Sequence, residues 1–95
     1  MKVAKLKAHP WQIGEAYFIR TITHHYTGRL VAVFGEELVL EDAAWIADNG
    51  RFSEALATGT FLEVEPYPDN AQVIISRASL LDASVFIHSL PRGVK

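Results

Sequence analysis

The residues that could bind a ligand crowd into one stretch. Within ten positions, 42–51, stand Trp45, Asp48, Asn49 and Arg51. Tyr26 and Arg29 are expected to approach them from a hairpin just upstream. An indole face can stack on a planar ring, arginine can pair with a phosphate, and a carboxylate can accept from a base edge or a ribose. Together these chemistries suit a nucleotide. The same stretch also suits a structural role, with Trp45 and Ile46 plugging a barrel end or a subunit seam while Asp48 pairs with Arg51.

Other chemistries lack their parts. His24 and His25 are sequence neighbours, and neighbours in a strand point to opposite faces. Neither has a partner at the helical spacing that a zinc site uses. The expectation is no metal, with one histidine turned inward on a hydrogen bond and the other solvated. The serines (Ser53, Ser76, Ser79, Ser84, Ser89) sit in no nucleophile elbow. The sequential carboxylates Glu36-Glu37 and Glu41-Asp42 diverge in extended chain and make no acid/base pair. No glycine loop could cradle a phosphate. No catalytic residue and no cofactor are therefore expected. Arg77 and Asp82 are expected to pair across strands or between subunits.

Composition sets the frame. Ninety-five residues form one domain, read as 1–95 with an N-terminal arm at 1–12 and a loose tail at 91–95. Without cysteines there is neither a disulfide nor a thiolate metal site. The net charge of −2 argues against a general nucleic-acid binder. No signal peptide or apolar run of bilayer length is visible, so a cytoplasmic protein with no membrane partner is expected. Hydrophobic residues make up 49% of the chain and mean hydropathy is +0.12. A small domain has much surface to cover with polar groups. The apolar surplus implies contact with another copy, and Val31, Val33, Ile74, Arg77 and Asp82 are the candidate interface.

The supporting elements follow from pattern. Residues 16–23, 29–34 and 37–41 read as strands, with 24–28 as a hairpin connection in which Gly28 can take positive φ. Residues 29–34 are apolar on both faces, which requires a central or covered strand. Residues 42–50 read as a loop. Phe52, Ala55 and Leu56 have helical spacing, so a short helix is expected over 51–58, capped by Asn49 or a neighbour and stopped by Gly59. Residues 60–65, 72–77 and 80–88 read as further strands, the last with Leu81, Ala83, Val85 and Ile87 on one face. The fold class is mainly β: a small five- to six-stranded SH3/Sm-like barrel with one short helix inserted after the third strand.

Residues 27–46 resemble the first signature of the Sm and Sm-like family. Gly28 stands at the family's glycine, and Leu38-Val39-Leu40-Glu41-Asp42 matches its closing strand. Residues 73–83 resemble the second signature, with Arg77 at the family's arginine. The resemblance implies the fold and ring assembly. The turn Phe34-Gly35-Glu36-Glu37 lacks the aspartate and asparagine that hold a base in RNA-binding members, and Ala78-Ser79-Leu80 replaces Gly-x-Asn. The chain is also similar to a family of short, functionally uncharacterised proteins of tailed phages and prophages, through residues 17–23, 27–33 and 38–52.

These readings combine into one expectation. The chain is a non-enzymatic phage-type accessory protein, a homo-oligomeric barrel that binds a small ligand such as a nucleotide, or a host protein. It would work in the cytoplasm of the infected cell or on the virion. A structural head, neck or tail-associated ring is the first alternative, and a Sm-like RNA-binding protein the second.

Overall fold

The computed structural model describes residues 9–95, and the first eight residues of the expected N-terminal arm lie outside the described residues. Six strands, one α-helix and one 3₁₀ turn follow in order. They are β1 (Ala16–Thr21), β2 (His25–Val33), β3 (Glu37–Asp48), α1 (Phe52–Thr58), β4 (Glu63–Pro66), β5 (Val73–Ser76), the turn Arg77–Ser79 and β6 (Leu80–Val85). The fold is mainly β, and its helix follows the third strand. Every pairing is antiparallel. The sheet runs β4-β3-β2-β1-β6, and β5 also pairs with β3. The path is open, with β4 and β6 at its ends, so the hydrogen bonding does not close into a barrel.

The apolar character of both strand faces has a local cause. One face of the sheet carries a core of Tyr17, Ile19, Leu30, Leu38, Leu40, Ala43, Val73 and Ile75. The other carries Phe18, Ala44, Ile46, Ala55, Phe61, Val64 and Phe86. Alternation along β1 sends Tyr17 and Ile19 to the first core and Phe18 to the second. The helix covers the second face through Ala55, with Phe52 and Leu56 packed beside it. As expected, β2 is central, between β1 and β3. Val31 and Val33 are half-buried, and Val33 packs on the first core.

Several boundaries differ from the sequence reading. β2 begins at His25, so residues 25–28 are strand rather than connection. The β1–β2 hairpin turns at Ile22 and Thr23, closed by the Thr21 amide donating to the His24 carbonyl at 2.8 Å. The Thr21 hydroxyl donates to that same carbonyl and accepts from the His24 amide. Gly28 therefore serves close approach, not a turn. A Cβ there would meet Leu40 at 3.0 Å and Ala43 at 3.2 Å. It lies at a bulge, where β3 offers Asp42 and Ala43 against one residue of β2. Asp42 takes a left-handed φ of 49° to make that bulge. The chain then continues as strand, so 42–48 is not a loop.

The helix ends as expected at Gly59, whose φ is 72° and whose amide donates to the Ala55 carbonyl. Of the two expected caps, Asn49 or a neighbour, the N-cap position falls to the neighbouring Arg51, and no side chain makes a cap hydrogen bond. The tail is not loose. Arg92 donates to the carbonyls of Ala43 and Tyr67 and to Asp69. Lys95 exchanges backbone hydrogen bonds with Val64 on the outer edge of β4. β6 also departs from the expected apolar face. Ala83 packs on the first core, but Leu81 and Val85 are 62% and 51% exposed, and the inward aromatic is Phe86.

Candidate functional site

Three adjacent strands build the site. Tyr26 of β2 pairs with Trp45 of β3, and Trp45 pairs with Glu65 of β4. Direct partners share a face, so the three side chains form a row across the sheet. After β4 the chain turns through Pro66, Tyr67 and Pro68, and these close one side of a shallow groove of about 350 Å³. His24 closes another side, its ring centroid 5.8 Å from that of Trp45 and 6.2 Å from that of Tyr26. Trp45 remains 38% exposed although it sits within a three-stranded block. Half-burial of Tyr26, with Tyr67 beside it, pushes the Tyr26 phenol above its ordinary value.

Of the sequence-predicted ligand set, only Tyr26 and Trp45 line this groove. Arg29 is bound to Asp42 at 2.6 Å, with Glu41 at 3.6 Å. That guanidinium holds the Asp42 carboxyl below the usual carboxylate range. Asp48 accepts from the Gly50 amide at 2.8 Å rather than pairing with Arg51. Asn49 lies 3.1 Å from His25 Nδ1 through its side-chain oxygen and donates to the Gly50 carbonyl. Arg51 is exposed and, with Asn49, lines a different depression beside Glu54, Thr58 and Leu62. Two facts scatter the set. Residues 43–48 are extended, so alternate side chains leave by opposite faces, and the bulge at Asp42 turns Arg29 to a carboxylate of its own.

The candidate interface residues separate too. Arg77 and Asp82 do not pair with each other. Arg77 donates to the Phe34 carbonyl at 2.6 Å, and Asp82 takes a two-pronged grip from Arg20. Arg20 lowers the Asp82 carboxyl below its ordinary range and lies 4.3 Å from the centre of the Phe52 ring. This joins β1, β6 and α1 at one point. Ile74 is 67% exposed on β5.

Sequence reasoning missed His24, Glu65, Pro66, Tyr67 and Pro68. Their one signal was the proline-tyrosine-proline run, which read only as a loop. Among the described residues, no group of three or more His, Asp or Glu side chains is placed to hold a metal ion. Among the same residues, no helix is long and apolar enough to cross a membrane. Family models, curated proteins and solved structures, each compared with this chain, return no match.

The charges around the groove are unevenly spent. Arg29 is paired with Asp42, and Arg92, which holds the Tyr67 carbonyl, is paired with Asp69 at 2.7 Å. Among the described residues Glu65 makes no ion pair. The groove thus offers aromatic faces and one carboxylate, and the neighbouring guanidinium groups are already occupied.

Proposed function

We propose that this chain is a non-enzymatic binding module whose ligand lies on the groove of His24, Tyr26, Trp45 and Tyr67. One observation carries this reading: four ring-bearing side chains from three separate segments converge on an open concavity, where Trp45 stays partly exposed. Exposed aromatic faces beside prolines supply binding area at little conformational cost. The partner class favoured is a protein, such as a host protein met by a phage-type accessory factor, because the groove is shallow and opens along the sheet. The nucleotide reading loses its phosphate partners, since Arg29 is paired with Asp42 and Arg51 lines another depression. A partly open SH3-like barrel is the finer fold we propose. The order β5-β3-β2-β1-β6 supports it, with β5 and β6 joined by the single 3₁₀ turn. The Arg77 amide donates to the Glu36 carbonyl, and the Ser79 carbonyl accepts from the Ile22 amide, so that turn is tied to both hairpins.

The binding reading is tested by magnetic-resonance titration of the labelled chain with three probes: adenosine monophosphate, a proline octapeptide and a blocked Gly-Arg-Gly peptide. Perturbations should concentrate on the Trp45 indole and the Tyr26 and Tyr67 rings for at least one probe, and disappear in Trp45→Ala. If all three leave those resonances in place, the groove is not a binding site.

A second reading rests on Ile74, Leu81 and Val85, which remain exposed on β5 and β6, each hydrogen-bonded to one strand only. We propose that these rows meet in a homo-oligomer. Light scattering should give a mass above that of one chain, falling toward the monomer in Ile74→Lys. A monomeric mass at high concentration would remove this reading.

A further inference from the structure

The groove has a charge preference that its rings alone do not reveal. Tyr26, Trp45 and Glu65 stand in register on one face, which puts a carboxylate in the same row as an indole and a phenol. Tyr67 and His24 close the remaining sides. Electron-rich ring faces attract cations, and a carboxylate at the end of the row adds a directed acceptor. Among the described residues no arginine or lysine lines the groove, and Arg29 and Arg92 are paired with Asp42 and Asp69.

We propose, resting on the binding-module reading above, that the groove takes the side chain of an exposed arginine from a partner protein. The guanidinium would lie flat on Trp45 while its N–H groups reach the Glu65 carboxylate.

Three alternatives are weaker on physical grounds. A phosphate-bearing ligand would face Glu65 and find no arginine or lysine among the described residues that line the groove. A neutral side chain would draw no ionic attraction from the exposed Glu65 carboxylate. A lysine ammonium is a strongly hydrated point charge, and a groove this open cannot strip its water. A guanidinium is weakly hydrated, planar and able to stack and pair at once. The chemistry of the row therefore selects arginine over lysine as well as over anions.

Within the molecule, Arg20 already shows the same combination. It is clamped by Asp82 and sits 4.3 Å over the Phe52 ring. The groove presents the rings and the carboxylate of such an arrangement.

The test titrates the labelled chain with blocked Gly-Arg-Gly and its lysine and citrulline counterparts, following the Trp45 indole and the Tyr26 and Tyr67 rings. Citrulline keeps the shape and removes the charge. Arginine should bind at least about fivefold more tightly than lysine, and citrulline should give no saturable shift. Glu65→Gln should weaken arginine binding by about fivefold and flatten its dependence on salt, because the lost contact is ionic. Glu65 is exposed, and unchanged resonances elsewhere in that variant show that the fold is kept. Equal binding of citrulline and arginine would overturn the proposal, as would arginine binding indifferent to Glu65→Gln. Should the proline octapeptide or the nucleotide occupy the groove while arginine does not, the binding module stands and the arginine assignment falls. If no probe moves the groove resonances, both fall together.

Discussion

Phe18→Ala is expected to lower the unfolding free energy by about 3–5 kcal/mol, a large part of the ~5–15 kcal/mol that holds a domain of this kind together. Phe18 is 1% exposed at the centre of the second core. Its ring lies 5.5 Å from Phe61 and 6.0 Å from Phe52, and it meets His25 edge-on. These partners come from β2, the start of α1 and the segment before β4, so deleting the ring leaves a hole that no single element can collapse to fill. Urea denaturation followed by far-ultraviolet dichroism reads the effect as a lowered midpoint. Ile22→Ala, at an exposed hairpin position, should leave the midpoint nearly unchanged. A Phe18→Ala chain as stable as the parent would show that the helix-side core contributes little.

Gly59→Ala is the second large effect. A Cβ at Gly59 would stand 2.5 Å from both Cβ and Cγ of His88, and the φ of 72° is one that side-chain-bearing residues rarely adopt. The clash is with the root of His88, not its tip, so rotation about the side-chain bonds cannot relieve it. The His88 ring is also committed, with Nε2 2.9 Å from the Leu56 carbonyl oxygen. Left-handed strain and overpacking together should cost more than about 2 kcal/mol. Thermal melts of Gly59→Ala beside Gly93→Ala, where nothing lies within 4 Å of the added methyl, separate the local clash from the general effect of replacing glycine. Equal melting temperatures for the two would contradict the packing of His88 against the helix end.

These two sites also mark how far the sequence could be read. Gly59 was legible because Phe52, Ala55 and Leu56 set a helical spacing and a glycine follows where that spacing stops. The strand at Ala16–Thr21 was legible from its aromatic and β-branched residues. β2 lies at the centre, one of the two placements that its apolar faces allowed, and its Leu30 and Val33 pack on the first core. The second core instead joins Phe18 of β1 and Ala44 and Ile46 of β3 to Phe61, Phe86 and α1, which lie far along the chain. The second half of β3 was hidden for a different cause. Glu41-Asp42-Ala43-Ala44 has little β propensity, and Asp42 takes the conformation of a turn residue while the strand carries on through a bulge. With β3 cut short, the candidate ligand set was drawn as one loop, and its members in fact leave by different faces. The groove itself depends on register, Tyr26 to Trp45 to Glu65, and register between distant strands is set by packing that no local spacing encodes. For the same reason Arg77 and Asp82 were matched by proximity in sequence, when their true partners stand across the sheet.

The grip of Arg20 on Asp82 spans 62 positions of chain, and that separation has a kinetic meaning. The meander of β1, β2 and β3 closes only short loops, so it can assemble early and cheaply. β6 has to travel back over the whole insertion before its contacts with β1 repay the lost chain entropy. Newly made chains therefore spend the interval with one side of β1 unpaired, and that interval is when they are most exposed to sticking to one another.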